Sequence, residues 1–231
     1  MVRRPEDLGL KPDGGLEPNI SEQTEENDLN RQTNLEPSFT RHEALGTMSF
    51  WMLSLYTLLI YPVQAGISLH QAPHLIERGL DPTIAATVIS TFSLFSAFAG
   101  VIFGILVSRI TIRLSLVAAA LALSSSTISM ILISEVWHGY FAAAMFGIGI
   151  GGILTILPIA WADFFGRRSF GSIRGIALSI QVTAQASGPL ISGFLRDQSG
   201  DYFMSLVIFM GLSLAAVLAA ILTNPPKPFT N

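Results

Sequence analysis

Apolar residues in this chain follow neither the alternation of a half-buried strand nor the narrow stripe of a surface helix. They come in long runs. Six lie after residue 46, at 47–69, 83–107, 114–133, 139–161, 175–195 and 202–222. Each is long enough to cross a hydrocarbon core of ~30 Å, which takes about 20 residues of helix. None has an ionisable residue in its middle, where a charge costs at least ~2.5–3.5 kcal/mol on the insertion scale. Inside a bilayer the backbone must satisfy its own hydrogen bonds, so runs of this kind read as helices. The pattern predicts an all-α membrane protein with six transmembrane helices.

Charge sharpens the picture. Only 13% of the residues are charged, against about 25% in an ordinary soluble domain. Fifteen of the charged side chains fall in residues 1–46, ten of them acids. That segment is rich in Glu, Asp, Asn, Pro and Gly, and reads as a disordered acidic tail. It has no apolar core of the kind a signal peptide needs. The expected organisation is therefore a tail at 1–46, a six-helix domain at 47–222 and a short C-terminal tail at 223–231. Cysteine is absent, which excludes disulfides and thiolate chemistry.

The flanks of the runs set an orientation. Arg31, Arg41, Arg109, Arg113, Arg167, Arg168, Arg174 and Lys227 share one side, whereas Arg78 and Arg196 lie on the other. The positive-inside rule places the first side, with both termini, in the cytoplasm. The second and fifth runs end alike, in GVIFGILVSR (100–109) and PLISGFLRDQ (189–198), which aligns Gly104 with Gly193. Each run is the middle of a set of three. Sets with an odd number of helices must be inverted relative to each other, a pattern found in secondary transporters. Close helix packing through small residues gives the same spacing.

Four stretches carry a resemblance to a known family: SLHQAPHL with RGL (68–75, 78–80), GILVSRITIR (104–113), ADFFGRRSFGSIRG (162–175) and SGPLISGFLRDQSGDY (187–202). They resemble the C-terminal half of a major facilitator superfamily transporter, of the monocarboxylate-porter and oxalate/formate-antiporter-like branches. The resemblance implies half of a twelve-helix fold, built as two inverted three-helix repeats. It implies transport of a small solute, an organic anion such as a monocarboxylate, by alternating access. Three departures stand out. Ser108 occupies a position where the family usually has Asp. Run 83–107 lacks the acid and arginine often found in the family's eighth helix. Finally, six helices are present rather than twelve, and the acidic tail resembles the loop joining the two halves. The other reading is a truncated, non-transporting membrane protein, or a regulator that pairs with a full-length transporter.

The resemblance also directs attention to polar residues within the runs. Cavity candidates are Tyr56, Tyr61, Gln64 and Ser68 in the first run, Thr155 in the fourth, and Gln181 and Gln185 in the fifth. Gln181 and Gln185 share a helical face and could bind a carboxylate or simply bond another helix. With no charge in these helices, an anion's counter-charge is expected from the other half. Gate candidates on the cytoplasmic side are Arg109, Arg113, Asp163, Arg167, Arg168 and Arg174, with Asp163 expected to pair with Arg167 or Arg174. Pro62, Gly104, Gly147, Gly151, Gly188, Pro189 and Gly193 are expected at kinks or close helix approaches, and Pro62 with Gly66 at a possible break in the first helix. Residues 147–152 formally match G-x-G-x-x-G, but no strand precedes them, so a dinucleotide site is not expected. His70 and His74 have metal-ligand spacing, but no third ligand is apparent. No metal, cofactor, enzymatic activity or nucleic-acid partner is expected. The partners implied are the lipid bilayer, a small solute and a second six-helix half.

Overall fold

The computed structural model describes residues 39–166 and 169–226. Among them seven helices follow in order: α1 (Arg41–Leu45), α2 (Met48–Glu77), α3 (Pro82–Leu106), α4 (Ile112–Ile131), α5 (Val136–Phe165), α6 (Phe170–Ser199) and α7 (Phe203–Leu222). Five of them, α2, α3, α4, α5 and α7, are long and apolar enough to cross a membrane. The sequence pattern predicted six. The sixth, α6, matches α2 and α5 in its 30 residues but is not among the five. Ser179, Gln181, Thr183, Gln185, Ser187 and Ser192 interrupt its apolar surface.

Local sequence explains where several helices begin. Thr47 and Thr111 accept the backbone N–H groups of Phe50 and Leu114. Asp81 caps α3 immediately before Pro82, a residue suited to a first turn because its missing N–H would have no partner there. The Asp81 carboxylate accepts the Thr83 N–H at 2.8 Å, which holds it below the usual carboxylate range. Gly200 ends α6 in the left-handed conformation, φ 84°, that glycine adopts without a Cβ clash.

Composition placed residues 1–46 together in the tail, but residues 39–46 are built into the helical unit. Thr40 and Glu43 form a capping box that starts α1. The Phe39 N–H donates to the Phe165 carbonyl at 3.2 Å, and the two rings meet edge to face. The rings of Phe50, Trp161 and Phe165 complete this aromatic cluster.

The helices pack in a specific pattern. The main neighbours of α2 are α6 and α7, those of α5 are α3 and α4, and α4 also packs on α7. Ser49, at the start of α2, donates to the Asn224 carbonyl beyond α7, and Phe50 meets Trp161 and Phe165 near the end of α5. This defines the near end of the bundle. At the far end, Glu77 meets Arg196, and His74 meets the Met130 carbonyl.

Two of the close approaches depend on glycine. A Cβ on Gly188 of α6 would overlap the Pro62 carbonyl of α2. A Cβ on Gly147 or Gly151 of α5 would overlap α3 backbone at Phe92 or Ser96. Small residues at such crossings let membrane helices gain van der Waals contact, which replaces the hydrophobic drive that lipid does not supply. Gly104 is in ordinary contact with Thr155, and nothing lies within 4 Å of a Cβ placed on Gly193. α2 runs unbroken through Pro62 and Pro73. The break considered at Pro62 and Gly66 is instead a continuous helix on which α6 rests.

Candidate functional site

The polar residues expected to line a cavity do not form one group. Tyr56 is fully buried, and its hydroxyl donates to the Leu116 carbonyl of α4 at 3.1 Å. Thr155 points at α3, where it donates to the Gly100 carbonyl at 3.4 Å. Ser68 is exposed. Tyr61, Gln64, Gln181 and Gln185 belong to the neighbouring pair α2 and α6. Tyr61 is buried, whereas the two glutamines of α6 and Gln64 are half-buried. The Oε1 atom of Gln64 is buried with no hydrogen-bond partner among the described residues.

Arg174 joins this group, although its position at the loop placed it among the gate candidates. It lies one turn into α6, and its side chain follows the helix. Its Nη2 donates to Oε1 of Gln181 at 3.1 Å, seven residues further on. Its Nη1 is buried with no partner among the described residues. The guanidinium is within electrostatic reach of Tyr61. Arg174, Gln181 and Gln185 thus form a half-buried polar stripe on α6, and the helix that packs on it, α2, carries Tyr61 and Gln64. Sequence reasoning missed the role of Arg174 in this stripe. Its spacing of seven residues from Gln181 was the available signal, since that separation returns to the same face of a helix.

The remaining gate candidates sit at the near end. A cavity of about 610 Å³ opens there, lined by Arg113, Asp163, Thr111, Phe164 and Asn224 among others. Arg113 donates to Oδ1 of Asn224 at 3.4 Å. Asp163 and Arg109 are exposed, and neither forms an ion pair among the described residues. Arg167 and Arg168 lie outside the described residues.

The far end carries its own polar cluster. Nε and Nη2 of Arg196 both donate to Oε1 of Glu77, at 3.2 and 2.8 Å, tying the end of α6 to the end of α2. The guanidinium lies 5.8 Å from the centre of the Tyr202 ring. The same ring contacts His70 and His74. These histidines are each engaged with a backbone carbonyl, His70 with Gly66 and His74 with Met130. Among the described residues no group of three metal-ligating side chains gathers around them.

Residues 44–231 match the family model of the Major Facilitator Superfamily. The chain belongs to the Major Facilitator Superfamily. The matched region contains all of α2 to α7, and with its apolar helices it makes the chain a multi-pass membrane protein. Two human proteins are similar to it. Monocarboxylate transporter 7 is 30% identical over 198 residues, which is 83% of this chain and 35% of that protein. Monocarboxylate transporter 11 is 26% identical over 158 residues, which is 63% of this chain and 33% of that protein. The chain thus spans about a third of the length of these relatives.

Proposed function

We propose that the chain moves a small organic anion, a monocarboxylate by class, across a bilayer as half of an alternating-access carrier. The observation that carries this reading is α6. It is a 30-residue helix with the length of a span but a polar stripe along it, packed in parallel on α2. Such a stripe is costly against lipid and useful against a water-filled path. The relatives' names supply the solute class.

On this reading α6 is the sixth span, and the domain at 47–222 is two inverted three-helix repeats. The packing supports this. Exchanging α2 with α5, α3 with α6 and α4 with α7 turns the pairings of α2 into those of α5 and leaves the α4–α7 pairing as it is. The same exchange relates the Gly188 crossing of α6 on α2 to the Gly147 and Gly151 crossings of α5 on α3. The bias of Lys and Arg toward the near end supports a cytoplasmic location for that end and for both termini. Segments 1–46 and 223–231 then flank the domain on that side, although residues 39–46 pack against it. A second six-helix half completes the carrier and rocks against this one.

Uptake into proteoliposomes tests the proposal. Saturable entry of radiolabelled lactate or pyruvate is expected, with uptake of each reduced by an excess of the other unlabelled solute. No carboxylate uptake by correctly inserted protein would contradict it.

A further inference from the structure

The geometry points to Arg174 as the residue that binds the solute's carboxylate, with Gln181 holding the guanidinium in place and the Tyr61 hydroxyl as a second donor. The inference rests on the transport reading above and supplies the positive charge that sequence analysis assigned to the other half.

Three features of this arginine, taken together, point to a ligand. The first is depth. Arg174 begins near the end of α6, but its guanidinium reaches Gln181, and both Gln181 and Tyr61 lie in the middle third of their 30-residue helices. A guanidinium carried along the helix toward its middle is uncommon in a membrane span and points to a ligand pathway. The second is the missing counter-charge. Arg196 has Glu77 at 2.8 Å, but Arg174 has no carboxylate within ion-pair distance among the described residues. A guanidinium nitrogen buried with neither a hydrogen-bond partner nor a counter-ion is unfavourable, and a ligand carboxylate would supply both.

The third is the arrangement of donors. Gln181 can accept from Arg174 only through its carbonyl oxygen, so it fixes Nη2 and adds no charge. Nη1 is left buried and free. The Tyr61 hydroxyl makes no hydrogen bond among the described residues, and the guanidinium acts on it electrostatically. Nη1 is the donor left for one oxygen of a carboxylate, and on this proposal the Tyr61 hydroxyl of the neighbouring helix serves the other. Charge-assisted bonds of this kind are the strong ones. One uncompensated positive charge suits a monoanion, which it neutralises, better than a dicarboxylate.

The test uses the protein at its native length, purified and reconstituted, with lactate as the probe. Two readouts are taken: uptake, and the lactate-dependent rise in melting temperature. The variants are Arg174→Gln, Arg174→Lys and Gln181→Glu. Gln181→Glu keeps a partner for Arg174 and places a permanent carboxylate beside it, so a well-folded protein is expected to lose the lactate response. Arg174→Gln is expected to lower uptake about tenfold or more and to abolish the melting shift. Arg174→Lys is expected to keep part of the activity at a raised KM, because the charge remains but the fork is lost.

If wild type takes up lactate and folded Arg174→Gln and Gln181→Glu do so within about twofold, the assignment is overturned and the transport reading stands. A melting shift in wild type that is lost in Arg174→Gln, without uptake by either, supports the site and overturns transport. No uptake and no shift in wild type overturns both.

Discussion

Gly188→Val is expected to abolish the folded protein, whereas Gly193→Val is expected to leave it intact. Both glycines lie on α6, five residues apart. At Gly188 a Cβ would overlap the Pro62 carbonyl and come within 2.9 Å of the Gly66 nitrogen, so the obstacle is α2 backbone. A flexible side chain could swing away, but backbone can yield only by separating the helices. Overpacking of a core costs about 1–3 kcal/mol where side chains can adjust, and a forced helix separation belongs at or above the top of that range. At Gly193 a Cβ meets nothing within 4 Å, and the change is expected to fall within about 0.5 kcal/mol of neutral. Monodispersity and melting temperature in detergent distinguish the two. Equal behaviour would mean that α6 does not rest on α2 through Gly188.

The second large effect is expected at the near end. Trp161 is fully buried, with ring centres 5.3 Å from Phe50 and 5.6 Å from Phe165. Trp161→Ala removes the largest side chain of this cluster and is expected to cost about 3–5 kcal/mol, the range for emptying a buried aromatic site. Trp161→Phe is expected to cost less, for two reasons. It keeps most of the ring volume, and it removes an indole N–H that is buried with no partner among the described residues. Leaving such a donor unsatisfied is itself unfavourable, so its removal offsets part of the lost packing. Thermal unfolding of the two variants checks the order. A Phe variant as damaged as the Ala variant would mean that the indole nitrogen has a partner that matters.

Much of the helix layout was legible in the sequence because membrane helices announce themselves by long apolar runs. Their ends were less legible. The first run ends at residue 69, but α2 continues through Pro73 to Glu77, and α5 and α6 also overrun their apolar cores at both ends. Hydropathy marks the part of a helix that lipid can solvate, and hydrogen bonding carries the helix beyond it. α1 was missed because charge dominated the reading of residues 1–46. Its one local signal was Thr40 with Glu43 three residues later, the spacing of a capping box.

The glycines divide for a similar reason. Spacing alone named Gly147, Gly151, Gly188 and Gly193 alike, and the backbone of a neighbour meets only the first three. Sequence shows that a small residue is present but not whether another helix crosses there. Arg174 shows the limit most clearly. Its backbone position next to a loop suggested a gate, whereas its side chain reaches Gln181 about two turns along the helix. Periodicity places Cα atoms, and a long side chain can carry its charge far from its own.

Transport by this half requires that the polar stripe of α6 line a water-filled path. The 231 residues contain no cysteine, so single cysteines can be read without background from this chain. Gln185 lies on the stripe, and Leu190, 72% exposed, lies on the opposite side of the helix from Gln181. The decisive measurement is labelling of Gln185→Cys and Leu190→Cys in intact membranes by a charged, membrane-impermeant thiol reagent. Gln185→Cys is expected to react and to be protected by lactate, while Leu190→Cys is expected to stay unlabelled. An unreactive Gln185→Cys, or equal labelling at both positions, would contradict the water-filled path.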